Sequence, residues 1–170
     1  MERRKAIKGL ALTMGALAGL PAWAKSWKPS ELPTQSFLKL DQAELLSVIV
    51  EAIIPKTDIP GAAEIGVDKF VLTMVTDCYD EKTQANFKRG VDKVASESSA
   101  KFGKSFASLT QAQKLQILEG LQAGSSDDKA FMSLLKNHTI QGFMNSEYVM
   151  TNITHYEMIP ARYHGCVPVK

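Results

Sequence analysis

Residues 41–54 read DQAELLSVIVEAII, and this stretch decides the class of fold. A helix built from it would carry apolar side chains on nearly every side, which is typical of a helix covered by others at the centre of a domain. Asp41 and Glu44 have the spacing of a capping box at its start. Pro55 ends the pattern, because proline cannot continue a helix. A central α-helix is therefore predicted.

Further helical patterns follow this stretch. Apolar residues at i, i+3 and i+4 predict a second helix from Val67 to Cys78. A narrower apolar stripe with a charged opposite face predicts a third helix over about Glu81 to Phe102. Thr110 and Gln113 form a second capping box, which begins a fourth helix.

Two more helices are predicted towards the C-terminus. Ser126 is the expected N-cap of a helix whose first residues are acidic, and such residues suit the positive helix start. The last helix is expected near Ser146 to Tyr156, and the proline-containing tail should be irregular. The prediction is a single all-α domain of five to six helices at residues 41–170, after an extended lead-in at residues 25–40.

The first 24 residues have the pattern of an export signal. The basic residues Arg3, Arg4 and Lys8 precede a short apolar run, which ends in small residues at Ala22 and Ala24. This order is typical of a cleaved signal peptide, and the arginine pair resembles the twin-arginine export signal. An ordinary secretory signal and a buried N-terminal helix are the alternatives. A membrane-spanning helix needs about 20 apolar residues, and the apolar run of the signal is shorter than that. No transmembrane span is expected after signal removal.

The charge of the chain bears on which partners are expected. The signal holds four basic residues and one acidic residue, so the remaining 146 residues carry 16 basic and 17 acidic ones. No basic face is expected, and nucleic acid is not a predicted partner.

The two cysteines, Cys78 and Cys166, are candidates for a disulfide in an exported protein. A separate, buried Cys78 is the alternative.

Catalytic and cofactor motifs are scarce. The sequence contains no P-loop, no haem-attachment motif and no dinucleotide-binding glycine pattern after a strand. His138 lies on an apolar helical stripe and is interpreted as a core residue. We assign no catalytic, cofactor-binding or metal-binding residue to this chain.

Short motifs at both ends of the domain resemble those of one protein family. Residues 53–62 read IIPKTDIPGA and are followed by Gly66-Val67. Near the other end, Gln141-Gly142-Phe143 precedes Asn145-Ser146-Glu147, and Tyr163-His164-Gly165-Cys166 closes the pattern. Their order and spacing resemble the gluconate 2-dehydrogenase subunit 3 family.

The resemblance implies a small, non-catalytic subunit that holds no cofactor. Its partner would be a large FAD-dependent dehydrogenase of the glucose–methanol–choline type, which oxidises a sugar, a glycoside or a sugar acid. A cytochrome c is the implied electron acceptor. The small subunit would carry the twin-arginine signal for both chains, so a periplasmic location is expected, peripheral to the inner membrane through its partners.

The candidate contact surface with that partner combines two loops rich in proline and glycine with the late aromatic residues. Its members are Pro55, Thr57, Pro60, Gly61, Tyr148, Tyr156, Pro160, Tyr163 and Gly165. Ordinary turn geometry is the alternative explanation for the glycines.

Two other functions remain open at this point. One is a stand-alone periplasmic module that binds a ligand between its helices. The other is an enzyme with a site around His155, Glu157 and His164. The first predicts a stable monomer with an apolar cavity, and the second predicts turnover without a partner.

Overall fold

A computed structural model describes residues 37–157 and residue 159 of the chain. They contain six α-helices and one short 3-10 helix, and no strand occurs among them. The helices are α1 (Leu40–Ile53), α2 (Val67–Cys78), α3 (Glu81–Phe102), α4 (Gln111–Gln122), α5 (Ser126–Met144) and α6 (Glu147–Asn152), with the 3-10 helix at Phe106–Ser108. The prediction of a single all-α domain is confirmed. The signal at residues 1–24 and the lead-in up to residue 36 lie outside this description.

Helix α1 is central, as its apolar pattern predicted. It packs against α2, α3, α4 and α5. Leu46, Ile49 and Val50 are almost fully buried. Helix α1 touches four other helices and α5 touches five, so these two helices together form the centre of the domain.

Aromatic rings join α3 to α5. The ring centroids of Phe87 and Phe131 are 5.2 Å apart, at an interplanar angle of 67°. This edge-to-face geometry is favoured by the aromatic quadrupole. Gly90 makes the contact close, since a Cβ at that position would overlap the Phe131 ring, with Cδ1 only 2.6 Å away.

The start of α1 differs from the prediction. The helix begins at Leu40, so Asp41 already lies in its first turn and Asp41 and Glu44 do not form the capping box. Instead, Gln42 Oε1 accepts a hydrogen bond from the Lys39 N–H at 3.0 Å, and Gln42 Nε2 donates to Asp92 Oδ1 on α3 at 2.6 Å. The reason is tertiary, because Gln42 connects the start of α1 to α3.

The caps of the later helices were predicted better. The Thr110 capping box is confirmed, with Gln113 Oε1 accepting from the Thr110 N–H at 3.1 Å. Helix α5 is capped by Ser125 rather than by Ser126, so the predicted cap was wrong by one residue. The shift lets the N3 carboxylate, Asp128, accept from the Ser125 N–H at 3.0 Å.

Asp128 also forms an ion pair with α3. Lys93 Nζ lies 2.7 Å from Asp128 Oδ2, whose side chain is 9% exposed. Hydrogen bonds from Lys93 and from Ser125 lower the pKa of Asp128 from 3.8 to about 2. The carboxylate therefore stabilises both the start of α5 and its contact with α3.

Helix α6 is shorter than predicted. It ends at Asn152, whereas the pattern predicted helix as far as Tyr156. His155 has a positive φ of 48°, and the Tyr156 N–H donates back to the Met150 carbonyl at 2.8 Å. This turn in the backbone ends the helix early, although the apolar pattern continues.

Candidate partner interface

One carboxylate fixes the loop between α1 and α2. Glu51, on the last turns of α1, accepts a hydrogen bond from the Lys56 N–H through Oε1 at 2.9 Å. Its Oε2 accepts from the Ala63 N–H at 3.0 Å. The two N–H groups belong to opposite ends of the loop, so a single side chain connects its start to its end.

Gly61 makes room for this carboxylate. A Cβ at Gly61 would overlap it, with the Glu51 Cδ atom 2.6 Å away. Gly61 is buried, whereas Pro55 and Thr57 are exposed and Pro60 is half-buried. The loop thus presents its first residues to solvent, and Gly61 serves the contact with Glu51.

The second motif lies at the junction of α5 and α6. Gly142 on α5 faces α2, where a Cβ would lie 2.6 Å from Phe70 Cδ1. The backbone then leaves α5, and Ser146 caps α6 by accepting from the Val149 N–H at 3.3 Å. The glycine brings α5 close to α2, and the serine begins the next helix.

These two motifs meet on one side of the domain. Ile65 and Gly66, at the end of the loop, line a shallow depression of about 240 Å³ together with Ser146 and Glu147. A neighbouring depression of about 350 Å³ is shared by Ile65 and Tyr148. Segments distant in sequence therefore form a common surface. We name residues 55–66 together with residues 140–157 the loop–α6 face.

Exposed apolar side chains are frequent in the C-terminal part of the described chain. Among the described residues, the large apolar side chains that are exposed between 137 and 159 are Ile140, Met144, Ile153, Tyr156 and Ile159. Met144 is 51% exposed and Tyr156 is 57% exposed, whereas Tyr148 is half-buried. No lysine or arginine occurs from 137 to 159. Protein interfaces are enriched in methionine and aromatic residues and depleted in lysine.

Comparison with protein families identifies the chain. The model of the family described as gluconate 2-dehydrogenase subunit 3 matches residues 40–161, more than two thirds of the chain. The chain belongs to the gluconate 2-dehydrogenase subunit 3 family. The match begins at the first residue of α1 and includes all six described helices. Searches of curated proteins and of solved structures gave no match.

The histidines of this subunit 3 chain have different surroundings. His138 is 8% exposed, with Nε2 2.9 Å from the Tyr79 hydroxyl and Nδ1 3.1 Å from Gln141 Oε1. Its interpretation as a core residue is confirmed. His155 is exposed, and its Nδ1 donates to the Thr151 carbonyl at 2.9 Å.

The other predicted site residues are placed only in part. Glu157 is exposed, whereas His164 and the contact candidates Pro160, Tyr163 and Gly165 lie outside the described residues. Within residues 37–157, no group of three or more His, Cys, Asp or Glu side chains could hold a metal ion. None of the helices that the structure describes is long and apolar enough to cross a membrane.

The cysteine pair also stays a prediction. Cys78 is exposed at the last residue of α2. Cys166 lies outside the described residues, so the distance that decides the disulfide is not defined.

Glu51 is the residue of this face that sequence reasoning missed. The signal was a single acidic side chain near the end of an otherwise apolar helix, four residues before a proline. Such a carboxylate, close to a loop rich in proline and glycine, is a candidate acceptor for the backbone N–H groups of that loop.

Proposed function

We propose that this chain is the non-catalytic small subunit of a periplasmic FAD-dependent dehydrogenase complex that oxidises a sugar, a glycoside or a sugar acid. Its role is to cover and stabilise the large flavoprotein subunit, which holds the FAD and performs the oxidation. A cytochrome c accepts the electrons from that subunit. The family assignment supports an accessory subunit, and the remaining details extend it.

The observation that carries this proposal is the convergence of the two family motifs on the loop–α6 face. Glu51 and Gly61 fix the loop, and Gly142 sets α5 against α2. Both arrangements order the surface while the chain is still free of a partner. Pre-ordering favours binding, because less conformational entropy is lost when the complex forms.

The apolar side chains of the face give the proposal its energetic basis. Tyr156 is more than half exposed, and no lysine or arginine occurs from 137 to 159. Buried apolar and aromatic side chains at the centre of an interface contribute most of the binding energy. We therefore place the contact with the large subunit here.

Export follows from the same proposal. The paired arginines Arg3 and Arg4 belong to a twin-arginine signal, a route that carries folded proteins. The large subunit crosses the membrane bound to this chain. Replacing both arginines with lysine should leave both subunits in the cytoplasm, as measured by fractionation. Export of the large subunit with the double variant would contradict the escort role.

Co-purification tests the accessory role. A tagged chain, expressed with the large flavoprotein of its native host, should retain that flavoprotein and its flavin absorbance on an affinity column. Tyr156→Glu should weaken the complex about thirtyfold, since a hot-spot loss is roughly 2 kcal/mol and about 1.4 kcal/mol corresponds to tenfold. Leu115→Glu is the matched control, because Leu115 is 40% exposed on α4 and lies outside the loop–α6 face. Equal effects of the two variants would contradict the assigned surface.

A second candidate function depends on a groove between α3 and α5. It has a volume of about 760 Å³ and is lined by Phe87 and Phe131 at its base. This volume suits a small ligand. The polar side chains at the groove are already hydrogen-bonded to one another, however, because Arg89 donates to Asp127 at 2.6 Å and to Asn86 at 2.6 Å. A thermal-shift screen of the isolated chain against sugars should give no shift if the accessory role is correct.

A further inference from the structure

The loop–α6 face combines apolar side chains with negative charge. Its acidic residues are Asp58, Glu64, Glu147 and Glu157. Its cation among residues 55–66 and 140–157 is Lys56, which lies 3.1 Å from Glu64 Oε2 and so is matched by it. Asp58 and Glu147 are exposed, and no described lysine or arginine forms an ion pair with either. The face therefore carries a net negative charge.

This charge is local rather than general. Helix α3 contains five basic residues and three acidic ones, which gives it a formal net charge of +2; the basic residues are Lys82, Lys88, Arg89, Lys93 and Lys101, and the acidic ones are Glu81, Asp92 and Glu97. In the first part of α5, Lys129 and Lys136 are balanced by Asp127 and Asp128. The net positive charge thus lies on α3, whereas no lysine or arginine occurs from 137 to 159.

We propose that the partner surface that covers the loop–α6 face is basic, with lysine or arginine side chains around an apolar centre, opposite Asp58 and Glu147. This inference rests on the proposed function, and the partner is the large subunit of the dehydrogenase complex. A carboxylate that loses water at an interface without meeting a cation is destabilised. Complementary charges at the rim also raise the association rate.

The positive charge on α3 favours one orientation of the partner during the encounter. A basic partner surface is attracted to the loop–α6 face and not to α3, whose formal net charge is +2. Charge pattern alone therefore orients the encounter before the apolar side chains make contact. Such steering weakens as salt increases, because the screening length falls from about 30 Å at 0.01 M to about 8 Å at 0.15 M ionic strength.

Binding kinetics at several salt concentrations test this inference. The purified chain is immobilised, and the large flavoprotein of its native host flows over it. The association rate should fall about tenfold or more between low and high salt, as it does for steered complexes. Asp58→Lys and Glu147→Lys should each lower the rate several-fold at low salt and reduce its dependence on salt. Glu119→Lys on α4 is the matched control, since Glu119 is exposed and outside the face.

Two variants are used because their structural risks differ. Glu147 is the first residue of α6, where lysine opposes the helix dipole, whereas Asp58 lies in the loop. Circular dichroism and thermal unfolding verify that each variant folds. Tight binding with an association rate that does not depend on salt, and with equal rates for Asp58→Lys and Glu119→Lys, would overturn the basic partner surface. It would leave the accessory role intact. Failure of the wild-type chain to bind the flavoprotein at any salt concentration would overturn both.

Discussion

Replacing Glu51 with alanine should free both ends of the loop that the carboxylate connects. The substitution removes the acceptor of the Lys56 N–H at 2.9 Å and of the Ala63 N–H at 3.0 Å. It leaves the helix intact, since alanine is a strong helix former. The loss is therefore confined to the loop and to what the loop supports.

The magnitude follows from the two hydrogen bonds. A hydrogen bond to a charged group contributes about 1.5–3 kcal/mol. The bond to Lys56 is exposed and belongs at the bottom of this range or below it, whereas the bond to Ala63 is partly buried. Together they should lower the free energy of unfolding by about 2–4 kcal/mol. Glu51→Gln should cost about half as much, because the amide keeps one acceptor oxygen but turns a donor toward the second N–H.

Urea unfolding of the isolated chain measures this loss. With a slope of about 2 kcal/mol per molar urea, the middle of the usual range, Glu51→Ala should shift the midpoint by roughly 1–2 M. Glu44→Ala is the control, since Glu44 is exposed on the same helix. The result that refutes the reasoning is a free energy of unfolding for Glu51→Ala within about 0.5 kcal/mol of that control.

The remaining predictions concern packing and pH. Gly90→Ala should destabilise the domain by about 1–3 kcal/mol despite the better helix propensity of alanine, because its Cβ overlaps the Phe131 ring. Gly120→Ala should instead stabilise the domain by up to about 1 kcal/mol, since its Cβ would meet only Lys101 Nζ, at 3.5 Å. Asp128→Asn should lower stability by about 1–2 kcal/mol at pH 7, through the lost ion pair and weakened cap. Because the folded pKa of Asp128 is lowered from 3.8 to about 2, this contribution is present above about pH 4 and is lost as the pH falls towards 2. Chemical unfolding of the glycine variants, and of Asp128→Asn and wild type at pH 7 and pH 3, measures these effects. Stability of Gly90→Ala at or above that of Gly120→Ala, or a wild-type advantage over Asp128→Asn that does not shrink at pH 3, would contradict them.

Local signals were sufficient for several helices. Helix α3 has the predicted bounds because both of its ends are encoded nearby. Asp80 accepts from the Thr83 N–H at the start, and Gly103 adopts a φ of 63° after the end. Such caps depend on residues within one turn, so a sequence shows them.

One error has a long-range cause and another has a local backbone cause. The start of α1 depends on Gln42 meeting Asp92, 50 positions away, and no local pattern reveals that bond. The end of α6 depends on a backbone turn at His155 that its apolar pattern conceals.

The candidate interface was predicted in pieces. Proline and glycine marked the loop, and the aromatic residues marked the C-terminal part. The sequence analysis grouped them in one contact surface, but the packing that brings them together could not be predicted, because it depends on the close approach of α5 to α2 at Gly142. The role of Gly61 was equally hidden, since it depends on where the Glu51 carboxylate lies.

Hydrogen exchange of this chain, alone and bound to the large flavoprotein, tests the central claim most directly. Backbone N–H groups of the loop–α6 face, residues 55–66 and 140–157, should exchange more slowly in the complex. Those on the exposed side of α3 should exchange at the same rate in both states. Slower exchange on α3, with no change in the loop–α6 face, would contradict the account.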